Sequence, residues 1–248
     1  MQSNLPTTQS LESNSAESIS PGEQNRMYAR LKENPWFFLH PYNAVYEIAS
    51  DGEKLGKATR RLKRQNNQWE LEISSKLKKW LLSLKSKETS AFIIKNKQLQ
   101  TTHFLTSTKI SFKSPRMVEQ NFDWQKQIET GKKGEQFWEL PLQDQLFDRM
   151  SHILQLRADL LTHQPTFKYL ISYKGRRKIY EYAKTAKESL QTPMGTYEAI
   201  RMDRISGDDS NFSIWLCPEL NYFPIKIAQF EQDKPDVILT LSQLSVLP

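Results

Sequence analysis

A single cysteine, eight glycines and no apolar run long enough to cross a bilayer set the first limits on this chain of 248 residues. The lone Cys217 excludes an internal disulfide and any cysteine-built zinc cluster, and in a strand it is read as a small buried hydrophobe. So few glycines argue against a glycine-built repeat or a phosphate-cradling loop. No G-x-S-x-G elbow, P-loop or dinucleotide fingerprint occurs in the sequence. A transmembrane helix needs about 18 or more successive apolar residues, and none are found. The opening Met1-Gln2-Ser3-Asn4 has neither a charged nor an apolar leader region, so no secretory signal is read from it.

Histidine is equally sparse. His40, His103, His152 and His163 show no metal-site spacing. His152 and His163 would lie about 16 Å apart along a helix, too far to share an ion. Each is read as an ordinary surface or core histidine, and no metal or cofactor is expected. Asp208-Asp209 beside Gly207 is turn chemistry without the further oxygen ligands of a calcium loop. No catalytic constellation emerges, so the chain is not expected to be an enzyme. Paired carboxylates that meet only in space would make an unrecognised hydrolase the least favoured alternative.

What the chain does contain is a core's worth of apolar residues, 38% hydrophobic and 11% aromatic, with a net charge of +7. Residues 1–27 are rich in Ser, Asn, Gln, Thr and Glu and hold no aromatic, which predicts a disordered polar tether. A single β-rich domain is expected over residues 36–244. Within it period-2 alternation dominates. Ala44, Tyr46 and Ile48 share one face, and Asp51-Gly52 is a turn signal. Gly56, Ala58 and Leu62 oppose Lys57, Arg61 and Lys63, and Trp69, Leu71 and Ile73 oppose Glu70 and Glu72. Further strands are predicted at 92–95, 98–105, 109–113 and 118–126. Hairpins follow at 167–183, through Lys174-Gly175, and at 196–217, before closing strands at 222–230 and 237–244. That makes about ten to twelve strands.

Two segments break the pattern. Leu146, Met150, Ile153, Leu154, Arg157 and Leu161 recur at three- and four-residue spacing, which predicts one long amphipathic helix over 142–163. Leu77, Trp80, Leu81 and Leu84, fringed by Lys76, Lys78, Lys79, Lys85 and Lys87, predict a short basic helix. Such a stripe suits a lid, plain core packing, or peripheral contact with an anionic membrane. The cluster Lys54, Lys57, Arg60, Arg61, Lys63 and Arg64 marks a basic hairpin. Aromatics lie near it, yet no RNA-binding motif accompanies them, and nucleic acid is not expected as a partner.

The C-terminal third carries a resemblance. Thr192-Pro193-Met194-Gly195-Thr196-Tyr197, then Trp215-Leu216-Cys217-Pro218, then Tyr222 with Pro224 follow in that order, and Pro41-Tyr42-Asn43-Ala44 with Gly56 opens the domain. This resembles the bacterial domain-of-unknown-function family 3108 over roughly residues 40–244. The resemblance implies an exported, periplasmic, β-rich protein and supplies no mechanism. The turn residues also have a physical role: Pro193 fixes φ, and Gly195 supplies a positive φ.

Together these expectations describe a mainly β protein, a strongly curved antiparallel sheet or half-open β-barrel with one long amphipathic helix packed on it. The expected function is non-catalytic binding, in the cell envelope, of a lipid-like hydrophobic ligand or an envelope partner. The candidate contacts are Trp80, Leu81, Leu84, Arg60 and Arg61. The alternative is a protein–protein or peptidoglycan-binding adaptor that uses a basic outer face.

Overall fold

The computed structural model describes residues 31, 33–79, 82–206, 210–231 and 236–247. Trp80 and Leu81, the tether 1–27 and the 207–209 turn lie outside the described residues. One meander runs β1 (Tyr42–Ser50), β2 (Glu53–Gln65), β3 (Gln68–Lys79), β4 (Leu82–Lys95), β5 (Gln98–Ile110), β6 (Arg116–Asp123), β7 (Ile128–Lys133) and β8 (Gln136–Pro141). A two-residue strand β9 (Leu146–Phe147) and the helix α1 (Ser151–Leu161) follow. The second meander is β10 (Lys168–Tyr173), β11 (Arg176–Thr192), β12 (Gly195–Arg204), β13 (Ser210–Cys217), β14 (Phe223–Glu231) and β15 (Val237–Val246).

The fifteen strands among the described residues belong to one sheet, ordered β8-β7-β6-β5-β4-β3-β2-β1-β15-β14-β13-β12-β11-β10-β9. The first meander starts at the centre, where β1 pairs β15, and runs outward to the free edge at β8, and the second runs inward to the centre from the free edge at β9. Every pairing is antiparallel except β9 with β10. Register follows the alternation. In β1 Tyr42, Ala44, Tyr46 and Ile48 are buried, and in β2 Ala58, Arg60 and Leu62 are. Asp51-Gly52, Asn96-Lys97 and Lys174-Gly175 take positive φ at both positions, which suits two-residue hairpins. Register shifts at 45/46, 48/49, 91/92, 184/186 and 215/216 add the bends that curl so long a sheet.

The helix corrects the sequence-based expectation in length and character. It has 11 residues, because Leu146 and Phe147 pair in parallel with β10 as β9 and Asp148 intervenes before the first turn. It is not amphipathic. Nine of its residues are buried, polar Ser151, His152 and Arg157 among them. A helix packed inside a curled sheet meets protein on nearly every side, so a single apolar stripe is not required. Around it sit Tyr46, Leu62, Leu71, Phe92, Phe104, Ile171, Met202 and Ile214, all fully buried.

The short basic helix is also corrected. Residues 76–79 and 82–85 are strand, the end of β3 and the start of β4. Leu77 faces Leu84, and Lys76 faces Lys85, across that hairpin. Two leucines placed symmetrically about residues 80–81 mimic a helical repeat when only spacing is read. The hairpin β7–β8 was not expected at all. Its inward positions are Glu129 and Gly131, so it has no apolar alternation.

The turn at Thr192–Gly195 follows the expectation. Thr192 pairs Gly195 across a two-residue loop, Thr192 Oγ1 accepts the Met194 N–H at 3.1 Å, and Gly195 has φ 132°. Gly195→Val is expected to destabilise the fold by about 1–3 kcal/mol through backbone strain, since a Cβ there would meet little else. Denaturant unfolding checks this. An unchanged midpoint would show that the turn tolerates a side chain at that φ.

Candidate functional site: a latched seam and a polar cleft

The sheet has two free edges, and no strand pairing joins them. Side chains do. Glu129 on β7 is fully buried and forms an ion pair with Arg177 on β11. Ser172 on β10 donates to its carboxyl at 2.6 and 2.8 Å, Gln120 on β6 donates at 2.8 Å, and Trp138 Nε1 on β8 donates at 3.0 Å. Arg177 Nη2 also reaches the Pro141 carbonyl at 2.9 Å. One carboxyl thus gathers donors from both ends of the sheet. Trp138 covers its cross-strand partner Gly131, where a Cβ would come within 2.1 Å of the ring, and the Cβ side of the indole approaches Gly175 in the β10–β11 turn. Glycine at 131 is therefore what lets the indole close the seam.

A second polar node holds α1 in place. Asp148 Oδ1 accepts the Met150 and Ser151 N–H groups at 2.6 and 3.0 Å, which satisfies orphan donors at the helix start. Its Oδ2 accepts Ser90 of β4 and Thr101 of β5. Burial raises the Asp148 pKa, and these hydrogen bonds oppose the shift. One turn on, His152 Nε2 and the Tyr182 hydroxyl share a hydrogen bond at 2.9 Å. Burial pulls the His152 pKa from 6.5 down to about 3.

Arg60 and Arg61, both candidate contacts, point in opposite directions. Arg61 is exposed. Arg60 is buried, donates Nε–H to the Tyr42 hydroxyl at 2.8 Å, and leaves Nη2 without a protein partner. Nearby on α1, Arg157 donates to the Asn221 carbonyl at 3.1 and 3.2 Å and stacks on Phe38, 4.4 Å from its ring centroid. Arg60 is therefore part of the interior. Leu84 is half-buried on β4, beside the undescribed residues 80–81. The candidate contacts do not converge on one site among the described residues.

A different set does converge. A cleft of about 950 Å³ lies between the β4–β5 and β6–β7 turns on one side and α1, β9 and the start of β10 on the other. It therefore straddles the two ends of the sheet. Amides dominate its lining: Gln98, Gln100, Asn121, Gln125, Gln155 and Gln164. Trp124, half-buried, forms part of the wall and donates Nε1–H to the Thr101 carbonyl at 2.6 Å. Asp159 accepts the Tyr169 hydroxyl at 2.7 Å and Gln155 Nε2 at 2.8 Å, and burial raises its pKa. Amide donors and acceptors beside an aromatic ring, with Lys95, Lys97, Lys168, Asp123 and Asp144 also in the lining, suit a polar ligand bearing hydroxyl, amide and charged groups. None of these residues was singled out in the sequence. They are scattered from 98 to 169, and the one local hint is Trp124 set in a polar turn. Among the described residues no cluster of three or more His, Cys, Asp or Glu could hold a metal.

A fifteen-stranded antiparallel sheet, curled around one interior helix and latched by side chains along an open seam, defines a barrel-like β protein. The chain belongs to the family described as "Protein of unknown function (DUF3108)", whose model matches residues 42–241, from the first residue of β1 into β15. Among solved structures it is similar to a beta-barrel-like protein of the domain of unknown function DUF1849 from Brucella abortus. That likeness has a TM-score of 0.57 and 9% sequence identity, and covers 84% of this chain and 98% of the other. At such identity it shows the fold alone. No curated protein matches the chain.

The buried histidine gives the fold a pH dependence of known sign. Its folded pKa lies below its unfolded value, so its contribution is complete above about pH 6.5 and is lost as pH falls toward 3. Asp148 and Asp159 act in the opposite sense, because their raised pKa values favour the folded state on acidification. The difference between wild type and His152→Gln isolates the histidine. Between pH 6 and 4 the wild type should lose up to about 1.4 kcal/mol per pH unit more than the variant. Parallel pH profiles would mean that His152 is solvated in the folded protein.

Proposed function

We propose that this is a non-catalytic binding protein of the cell envelope, facing the periplasm, that holds a polar ligand or partner segment in the seam cleft. The observation that carries the proposal is the cleft itself, about 950 Å³ of space lined by amides, three aspartates, three lysines and the Trp124 indole. The envelope placement is supported by the exported character that the family resemblance implies. Binding rather than catalysis is supported by how the candidate groups are engaged. Asp159 is tied to Tyr169 and Gln155, and His152 is bonded to Tyr182 in the interior.

A lipid-like ligand would need a dry apolar cavity within the curled sheet. Among the described residues that interior is filled by α1 and by side chains such as Phe92, Phe104 and Leu154. The polar cleft therefore favours a ligand with sugar or peptide hydrogen-bonding groups, and a peptidoglycan fragment has both.

Titration calorimetry with a soluble disaccharide-peptide from peptidoglycan, and in parallel with a short-chain phospholipid, tests this proposal. Saturable binding of the polar probe is expected, weakened about tenfold by Asp159→Asn combined with Trp124→Phe, with the melting temperature held within a few degrees. Binding of the phospholipid alone, or a polar-probe affinity indifferent to both substitutions, would overturn it.

A further inference from the structure

On the convex face, away from the cleft, four strands place lysine directly opposite lysine. Lys57 of β2 faces Lys76 of β3, Lys76 faces Lys85 of β4, and Lys85 faces Lys109 of β5. All four are exposed. They form a single-file row crossing the sheet, with neighbours about 4.8 Å apart and a span of about 15 Å. Like charges placed directly opposite on adjacent strands repel. Natural sheets usually alternate sign, as in the neighbouring pairs Lys63–Glu70 and Lys87–Glu72. Among the described residues none of the four forms a salt bridge, and Glu47, the partner of Lys57 across β1–β2, is bonded to Lys54 at 2.6 Å.

The row lies in a shallow groove of about 380 Å³. A parallel row on the same face completes its lining: Thr59 and Ser74, hydrogen-bonded to each other at 2.7 Å, then Lys87 and Ser107. We propose that this groove binds a segment of a linear acidic polysaccharide, its carboxylates or phosphates running along the lysine row and its sugar hydroxyls meeting the serines and threonine. Three features select that occupant. The charges lie in a line, matching anions strung along a chain. They are flanked on the same face by the hydroxyls of Thr59, Ser74 and Ser107, which suit the hydroxyls of a sugar chain. Among the described residues no aromatic side chain lines the groove, which therefore offers no stacking platform there for the bases of a single-stranded nucleic acid. A bound polyanion would also neutralise a repulsion that the free fold sustains. The inference is independent of the cleft, with which the groove shares no residue.

Fluorescence anisotropy of the full chain with a short labelled polyuronate, at low and high salt, tests it. The expected result is binding that weakens as salt rises, and that falls about tenfold or more in Lys76→Ser with Lys85→Ser. The variant should keep its fold and melt at an equal or higher temperature, because the central repulsion is gone. A control pair on the distant β7 strand, Lys132→Ser with Lys133→Ser, should leave binding unchanged. No binding at low salt, or binding unaffected by the Lys76 and Lys85 substitutions, would overturn the proposal. So would tighter binding of an oligothymidylate of similar length, or of vesicles containing phosphatidylglycerol.

Discussion

Glu129 accepts hydrogen bonds from β6, β8, β10 and β11, and through them the two ends of a fifteen-stranded sheet are held together. The arrangement has a physical cause. An open sheet exposes two rows of unpaired backbone groups, which invite pairing with other chains, and a closed barrel removes them. This sheet does neither. Its edges meet through a buried carboxyl and a guanidinium, with Trp138 laid over Gly131 as a cover. A carboxyl without solvent access is costly unless every oxygen is engaged, and here both oxygens are, by four side chains. The node is directional, so it sets the angle at which the ends approach as well as holding them.

The helix and the cleft depend on that closure. Asp148 ties the start of α1 to β4 and β5, while His152 ties its next turn to β11 through Tyr182. The helix is thereby fastened to strands of both meanders. The cleft opens where those same meanders face each other. Its amides are supplied by β5, β6 and the following turn on one side and by α1 and the segment after it on the other, and its Asp159–Tyr169 pair by α1 and β10. A binding site built across a seam inherits the seam's geometry, so a ligand held there senses how tightly the sheet is curled.

Much of the sheet was legible because its inward positions are apolar. Tyr42 to Ile48 alternate cleanly, β10 lies within its predicted span, and β12 and β14 each overrun theirs by one residue. The parity that buries Ala58 and Leu62 also buries Arg60, although its charge pointed the expectation outward. Legibility failed where inward residues are polar or absent. With Glu129 and Gly131 facing in, β7 has no hydrophobic signature, and the latch hides in that same strand. The helix was drawn too long because Leu146 is apolar for another reason, burial in β9. The cleft was illegible because its residues are brought together by topology, and local pattern carries no record of pairings between distant segments. The lysine row needed register, which spacing along one strand cannot supply.

The most direct test of the account is a double-mutant cycle on Glu129→Gln and Arg177→Met, read by reversible unfolding. If the buried pair closes the sheet, each single substitution should cost about 3 kcal/mol or more, and the two together should cost well short of their sum. Amide hydrogen exchange in the same variants should quicken first in β7, β8 and β10, while β1, β2 and β15 at the centre stay protected. Single substitutions costing under about 0.5 kcal/mol, with exchange at the two edges unchanged, would contradict the claim that this node holds the seam.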